Sequence, residues 1–250
     1  MRRLFAAISM LVVPTMALAI VDVHEEYYSN LGEPAFSTFS FSVEGARGTK
    51  TQNEFEVENH SLLRTGKSTW MFVGSLNYAE TNDEKSDDNQ FAHIRYVRGL
   101  GGRHGFDVLA QYQQDEFALI DSRTLIGGGY RYEWAQSGAR RGLLGIGAIR
   151  EKERYTTGAR SDLWRANLYV TFGQPVEVIP DSWLTFSAYA QPALEDTGDV
   201  RAIAVLGLTT QLTRNLGIEF SADYSYDSEP EAGVDSADLE YSIGVEWTLR

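Results

Sequence analysis

From Phe36 to the end of the chain, apolar and polar residues alternate with a period of two, interrupted at intervals by turn residues. The last segment shows the pattern most cleanly. Leu239, Tyr241, Ile243, Val245, Trp247 and Leu249 alternate with Glu240, Ser242, Gly244, Glu246 and Thr248. Successive side chains of a strand point to opposite faces, so this is a strand with one apolar and one polar face. About twelve segments of this kind run from Phe36–Glu44 to Ala237–Leu249, most of them near the nine to eleven residues with which a tilted strand crosses a bilayer. The predicted fold is all-β: a transmembrane antiparallel barrel of about twelve strands over residues 36–250.

Three further patterns bear on that expectation. After residue 19 no apolar run is long enough for a spanning helix, which leaves a closed barrel as the way to satisfy every backbone group in lipid. Connections after even-numbered segments are predicted short, as at Arg64–Lys67, Gly101–Gly105, Ser137–Arg141 and Arg214-Asn215, with Gln174–Asp181 longer. Those after odd-numbered segments, Thr81–Asn89, Thr156–Ser161, Glu195–Asp199 and Asp227–Ser236, read as longer and more acidic loops on the outer side. Aromatic residues gather near the segment ends as an interfacial girdle: Trp70, Trp134, Trp183 and Trp247 at the periplasmic ends, Trp164 with Tyr78, Tyr155, Tyr224, Tyr226 and Tyr241 at the outer ends. A soluble barrel or sandwich shares the alternation, with its apolar face turned inward.

Residues 1–19 read as a signal peptide. Arg2 and Arg3 form its basic start, Leu4 to Val13 its short apolar core and Ala17-Leu18-Ala19 a small-residue cleavage site. Residues 20–35 are a polar periplasmic lead. Together these predict export to the outer membrane of a Gram-negative cell. The chain carries 35 acidic against 22 basic residues, a net charge of -13, which argues against nucleic-acid binding. Cysteine is absent, so thiolate metal sites and disulfides are excluded.

The middle of the chain carries a resemblance. It reads F-A-H-I-R-Y-V-R-G-L from Phe91, A-Q-Y-Q-Q-D-E-F-A-L-I-D-S-R-T-L-I-G-G-G-Y-R-Y from Ala110 and L-G-I-G-A-I-R-E-K-E from Leu144. These stretches resemble the YdiY-like family of salt-induced outer-membrane proteins, whose function is unknown. The resemblance implies an outer-membrane barrel and hints at a salt-stress or envelope role; it brings no substrate and no catalytic residues. Barrels of this kind usually end on an aromatic residue, and here the chain ends Trp247-Thr248-Leu249-Arg250.

If the apolar faces meet lipid, the opposite faces line the lumen. The inward residues are then Glu54, Glu56, Glu58 and His60; His93 and Arg95; Gln111, Gln113 and Asp115; Arg123, Arg131 and Glu133; Arg165 and Asn167; and Glu219, Asp223, Glu240 and Glu246. Such charges either pair across a plugged interior or line a narrow, cation-leaning pore. Gly127-Gly128-Gly129 lacks the helix and lysine of a phosphate loop and is read as relief of crowding where the sheet curls. Catalytic residues are not predicted. The alternative is an outer-membrane enzyme acting on lipid, phospholipase-like, but His60 and Ser61 are adjacent and fall on opposite faces, and no outward His/Ser grouping is seen. The acidic loop residues Asn82–Asp88 and Asp227–Glu229 offer oxygen ligands for a divalent cation bridging to lipopolysaccharide, but their spacing matches no calcium loop and Lys85 interrupts the first, so no metal or cofactor is expected. The expected partners are outer-membrane lipid, lipopolysaccharide and the barrel-assembly machinery.

Overall fold

The computed structural model describes residues 34–47, 51–213 and 216–247. The signal peptide at 1–19, all but the end of the lead at 20–35, the Arg214-Asn215 turn and the last three residues lie outside these.

Alternation becomes twelve strands: β1 (Ala35–Ala46), β2 (Gln52–Thr65), β3 (Ser68–Thr81), β4 (Glu84–Gly101), β5 (His104–Asp115), β6 (Ile120–Ser137), β7 (Arg140–Tyr155), β8 (Arg160–Pro175), β9 (Ser182–Pro192), β10 (Val200–Gln211), β11 (Leu216–Asp227) and β12 (Ala237–Trp247). They form one sheet in sequence order, each strand antiparallel to the next. The class is that expected, all-β and barrel-like. Apolar positions of the alternation lie on the outside: Phe39, Phe41, Ile126, Ile146, Leu206, Leu239 and Ile243 are all exposed. In water such a wall would be an aggregation surface; facing lipid, it gains by staying exposed.

The sheet curls until strands that are not neighbours touch. Tyr169 of β8 donates its hydroxyl to Asp107 of β5 at 3.0 Å. Arg201 of β10 reaches Glu151 and Glu153 of β7. Leu109, Leu125, Ile149, Tyr169, Tyr189, Ile203 and Val205, from six consecutive strands, meet in one buried cluster inside the curl. Glycine permits the tightest part of it. A Cβ on Gly145 would lie 2.0 Å from the Tyr169 ring, and one on Gly147 would lie 2.3 Å from the carbonyl oxygen of Gly128. Gly127-Gly128-Gly129 thus serves close backbone approach within a strand.

The two ends of the sheet differ. At one, β2–β3, β4–β5 and β6–β7 join through two residues each, and Gly66, Gly102 and Gly138 take positive φ at the first of them, as type II′ hairpins require. The other end, called the loop end below, carries the longer connections, up to nine residues at 228–236. One detail there corrects the sequence expectation. Thr81–Asn89 is not a loop: β3 and β4 continue through it and turn on Asn82-Asp83, whose φ values of 54° and 65° suit a type I′ hairpin. A strand that runs on past the apolar belt of the wall needs no apolar face, so its polarity disguised it. At its tip Lys85 bridges Asp88 at 2.7 Å and Glu116 at 2.6 Å, and these hydrogen bonds raise the ammonium above its ordinary range.

The aromatic girdle is also revised. Trp70, Trp134 and Trp164 stand exposed on the outer wall. Trp183 does not: its register partners Thr209 and Pro175 share the inward face, and its indole N–H is enclosed without an acceptor among the described residues. Tyr155 likewise turns inward, donating to Glu153 at 2.8 Å. Both keep the inward parity of their strands, Trp183 with Thr185 and Ser187, Tyr155 with Glu151 and Glu153; their place at a strand end suggested a girdle that their face does not join. Trp247 pairs with Leu216 through the backbone, but its side chain lies outside the described ones.

Candidate functional site: a lumen in two halves

Inward residues on β4 to β10 lock together in layers. Nearest the loop end is an ionic layer. Arg165 donates from Nε to Glu151 at 2.8 Å and from both terminal nitrogens to the Asp199 carboxylate at 2.9 Å. Arg201 bridges Glu151 at 2.6 Å, Glu153 at 2.9 Å and Asp227 at 2.9 Å. Arg123 pairs with Glu153. Glu151 is fully buried and serves two guanidinium groups, so each charge is met by an opposite one. Beneath it lies the apolar cluster with Tyr169 and Tyr189, whose rings tilt against each other at a centroid distance of 5.4 Å. Towards the turn end, Arg95 is wholly buried against Tyr189, with Asp107 and Tyr169 close by. His93 Nδ1 and Gln111 Oε1 stand 3.1 Å apart. Back beside the ionic layer, Asn167 accepts from Gln191 at 3.1 Å, and the Gln191 main-chain carbonyl accepts from Arg165 at 3.1 Å.

The inward faces of β2, β11 and β12 are different in kind. Glu54, Glu56, Glu58, Asp223 and Glu240 stay half-exposed there. Glu58 meets His60 at 2.8 Å and Glu56 accepts weakly from Ser42 at 3.5 Å. Asp223 accepts from Ser221 and lies directly across from Glu240 in the register. The inward register positions of β11 and β12 hold no lysine or arginine, and on β2 none occurs from Gln52 to Leu62. Like charges set opposite each other repel, so this strip attracts cations. The register also assigns Glu219 to the inward face of β11, though its side chain is not among those described.

A cavity of about 410 Å³ opens at the loop end, with Asp87, Asp115, Asp227 and Asp238 around it and Arg123 and Arg201 at its floor. Asp115 is held by the backbone N–H groups of Phe117 and Ala118 at 3.0 and 2.9 Å, which fixes the β5–β6 turn at the rim. A second cavity of about 310 Å³ at the turn end has the opposite sign: Arg64, Lys67, Arg103, His104 and Arg131 line it with Glu133. On β4 to β10 the ionic layer and the apolar cluster fill the space between the two mouths.

All the lumen residues expected from alternation whose side chains are described lie on the inward face, yet they do not form one site. Glu54, Glu56, Glu58 and Asp223 belong to the acidic strip; Arg123 and Arg165 to the ionic layer; His93, Arg95 and Gln111 to the packed interior; Asp115, Arg131 and Glu133 to the two mouths. Sequence reading missed Glu151, Glu153 and Arg201, which hold the layer together. The signal was present in I-R-E-K-E-R, where Glu151 and Glu153 continue the inward parity of Gly147 and Ile149. Ser61 turns outward and bonds Ser37 at 2.7 Å, away from His60.

A family model described as "Protein of unknown function, DUF481" matches residues 39–248. No curated protein matches the sequence. Among solved structures, one described as "NanC porin structure in rhombohedral crystal form" is similar at 11% identity and a TM-score of 0.49, covering 85% of this chain and 99% of the other. Another, from "Unveiling the Mechanism Behind the in-meso Crystallization of Membrane Proteins", is similar at 11% identity and a TM-score of 0.38, covering 83% and 80%.

Proposed function

The chain belongs to the DUF481 family of proteins of unknown function, and we propose that it is a non-enzymatic outer-membrane barrel that passes small cations along the acidic strip of its lumen, beside a half that is sealed. The observation that carries this reading is the contrast within one interior: carboxylates half-exposed on β2, β11 and β12, charges fully buried and paired on β7, β8 and β10. The apolar outer wall supports a membrane location. Asp227 and Asp238 at the loop-end cavity lead in register to Asp223 and Glu240 below, so a cation entering there meets carboxylates in succession.

The test is ion conductance of the refolded mature protein in a planar bilayer. The reading predicts small, cation-selective steps whose selectivity falls when Glu54, Glu56 and Glu58 become Gln. A folded barrel that never conducts would favour the closed structural role instead, with function moved to the loops and outer wall.

A further inference from the structure

The outer wall is mainly apolar, with Ser37, Asn59 and Ser61 a neutral polar exception on β1 and β2, but along β7 its chemistry changes abruptly. Leu144, Ile146 and Ala148 are followed on the same face by Arg150, Lys152 and Arg154, whose side chains are all about half exposed. The neighbouring strands place Ile126 and Trp164 beside Arg150, and Arg160 beside Arg154. The change therefore occurs at the edge of the apolar belt, where Trp164 marks the interface, on the loop-end side.

Four cations share this surface with two carboxylates. Arg150 chelates Asp162 at 2.9 and 3.0 Å, Lys152 reaches the same carboxylate at 3.5 Å, and Arg154 pairs with Asp121. Arg160 pairs with no carboxylate among the described residues, although it stands directly across from Arg154. Like charges set opposite each other destabilise a sheet, and here they occur in a chain with 35 acidic residues to 22 basic. Elsewhere on that rim the outward residues include Glu80, and Asp88 and Glu116 with Lys85 between them, so acids outnumber cations there. Arg150 to Arg154 spans about 13 Å at strand rise, enough for more than one phosphate.

We propose that the β7–β8 wall is a docking site for the phosphorylated headgroup of an anionic glycolipid of the outer leaflet. Arg150, Lys152, Arg154 and Arg160 take the phosphates; Ile126, Ile146 and Trp164 take the first part of the acyl chains. Guanidinium groups suit this role because they bind phosphate through two parallel hydrogen bonds. The inference rests on the outer-membrane reading above, which sets the loop end outside.

The experiment is native mass spectrometry of the refolded mature chain in neutral detergent, titrated with bisphosphorylated lipid A, with dephosphorylated lipid A, and with lipid A in excess inorganic phosphate. Wild type is expected to retain lipid A and to release the dephosphorylated form. The Arg150→Gln/Arg154→Gln/Arg160→Gln variant is expected to bind roughly a hundredfold more weakly, at the strength that basic residues lend to anionic membrane surfaces. Arg160→Gln alone should weaken binding several-fold, and Arg140→Gln at the turn end should leave it unchanged. Equal retention by the triple variant, equal retention of the dephosphorylated lipid, or full displacement by inorganic phosphate overturns the site. Heat-modifiable mobility of each protein separates the two levels: a chain that neither folds in detergent nor inserts into vesicles overturns the membrane reading as well, whereas a folded barrel indifferent to the arginines overturns the docking site alone.

Discussion

The two halves of the interior solve the problem of charge in opposite ways. On β7, β8 and β10, glutamates and arginines are buried and each meets an opposite charge, as at Glu151 between Arg165 and Arg201. On β2, β11 and β12, glutamates of one sign are kept half in solvent. Burial of an ion is costly unless it is paired and hydrogen-bonded; hydration removes the need for a partner. Packing that seals one half therefore depends on arginine, and openness of the other depends on its scarcity. The same residue type, Glu, is buried and paired at 151 and half in solvent at 56.

The comparison breaks most readily at Glu151. Glu151→Gln leaves two buried guanidiniums short of charge and should destabilise the barrel by about 3–5 kcal/mol, read as a lower urea midpoint for unfolding from lipid vesicles. Glu56→Gln, on the hydrated side, should move that midpoint by under about 1 kcal/mol. Equal costs would mean that the two halves are not different in kind. Next comes Gly145→Ala, whose Cβ enters the Tyr169 ring. Overpacking of this sort costs about 1–3 kcal/mol, and the loss should appear in heat-modifiability before any change in ion selectivity. The smallest effect is expected at the β3–β4 hairpin. Asp83 has a φ of 65°, so Asp83→Gly should stabilise by a few tenths to about 1 kcal/mol, with conductance unaltered.

Much of this was legible from alternation. A period of two assigns a face to every strand residue, and Glu54, His93, Arg95, Arg123 and Arg165 all fall on the inner one as read. Partnership was not legible. Which inward glutamate meets which inward arginine depends on how the sheet curls, and Arg201 reaches Glu151 across fifty residues of chain. Strand ends were misread for a separate reason. Beyond the apolar belt the wall need not be apolar, so 84–89 on β4 carry no hydrophobic signal, whereas Trp183 and Tyr155 keep the inward parity of their strands, which their place at a strand end obscured. The basic rim on β7 hid in plain view, because a charge row at a strand end reads as ordinary solvated surface.

Thiol labelling tests the central claim of a half-open lumen most directly. The natural chain has no cysteine, so Glu56→Cys on the acidic strip and Ser187→Cys in the packed half each introduce a single thiol. With the refolded protein in vesicles, a water-soluble, membrane-impermeant thiol reagent is predicted to modify Glu56→Cys readily and Ser187→Cys only after denaturation. Equal labelling of both in the folded barrel, or protection of both, would contradict a lumen divided into a hydrated and a sealed half.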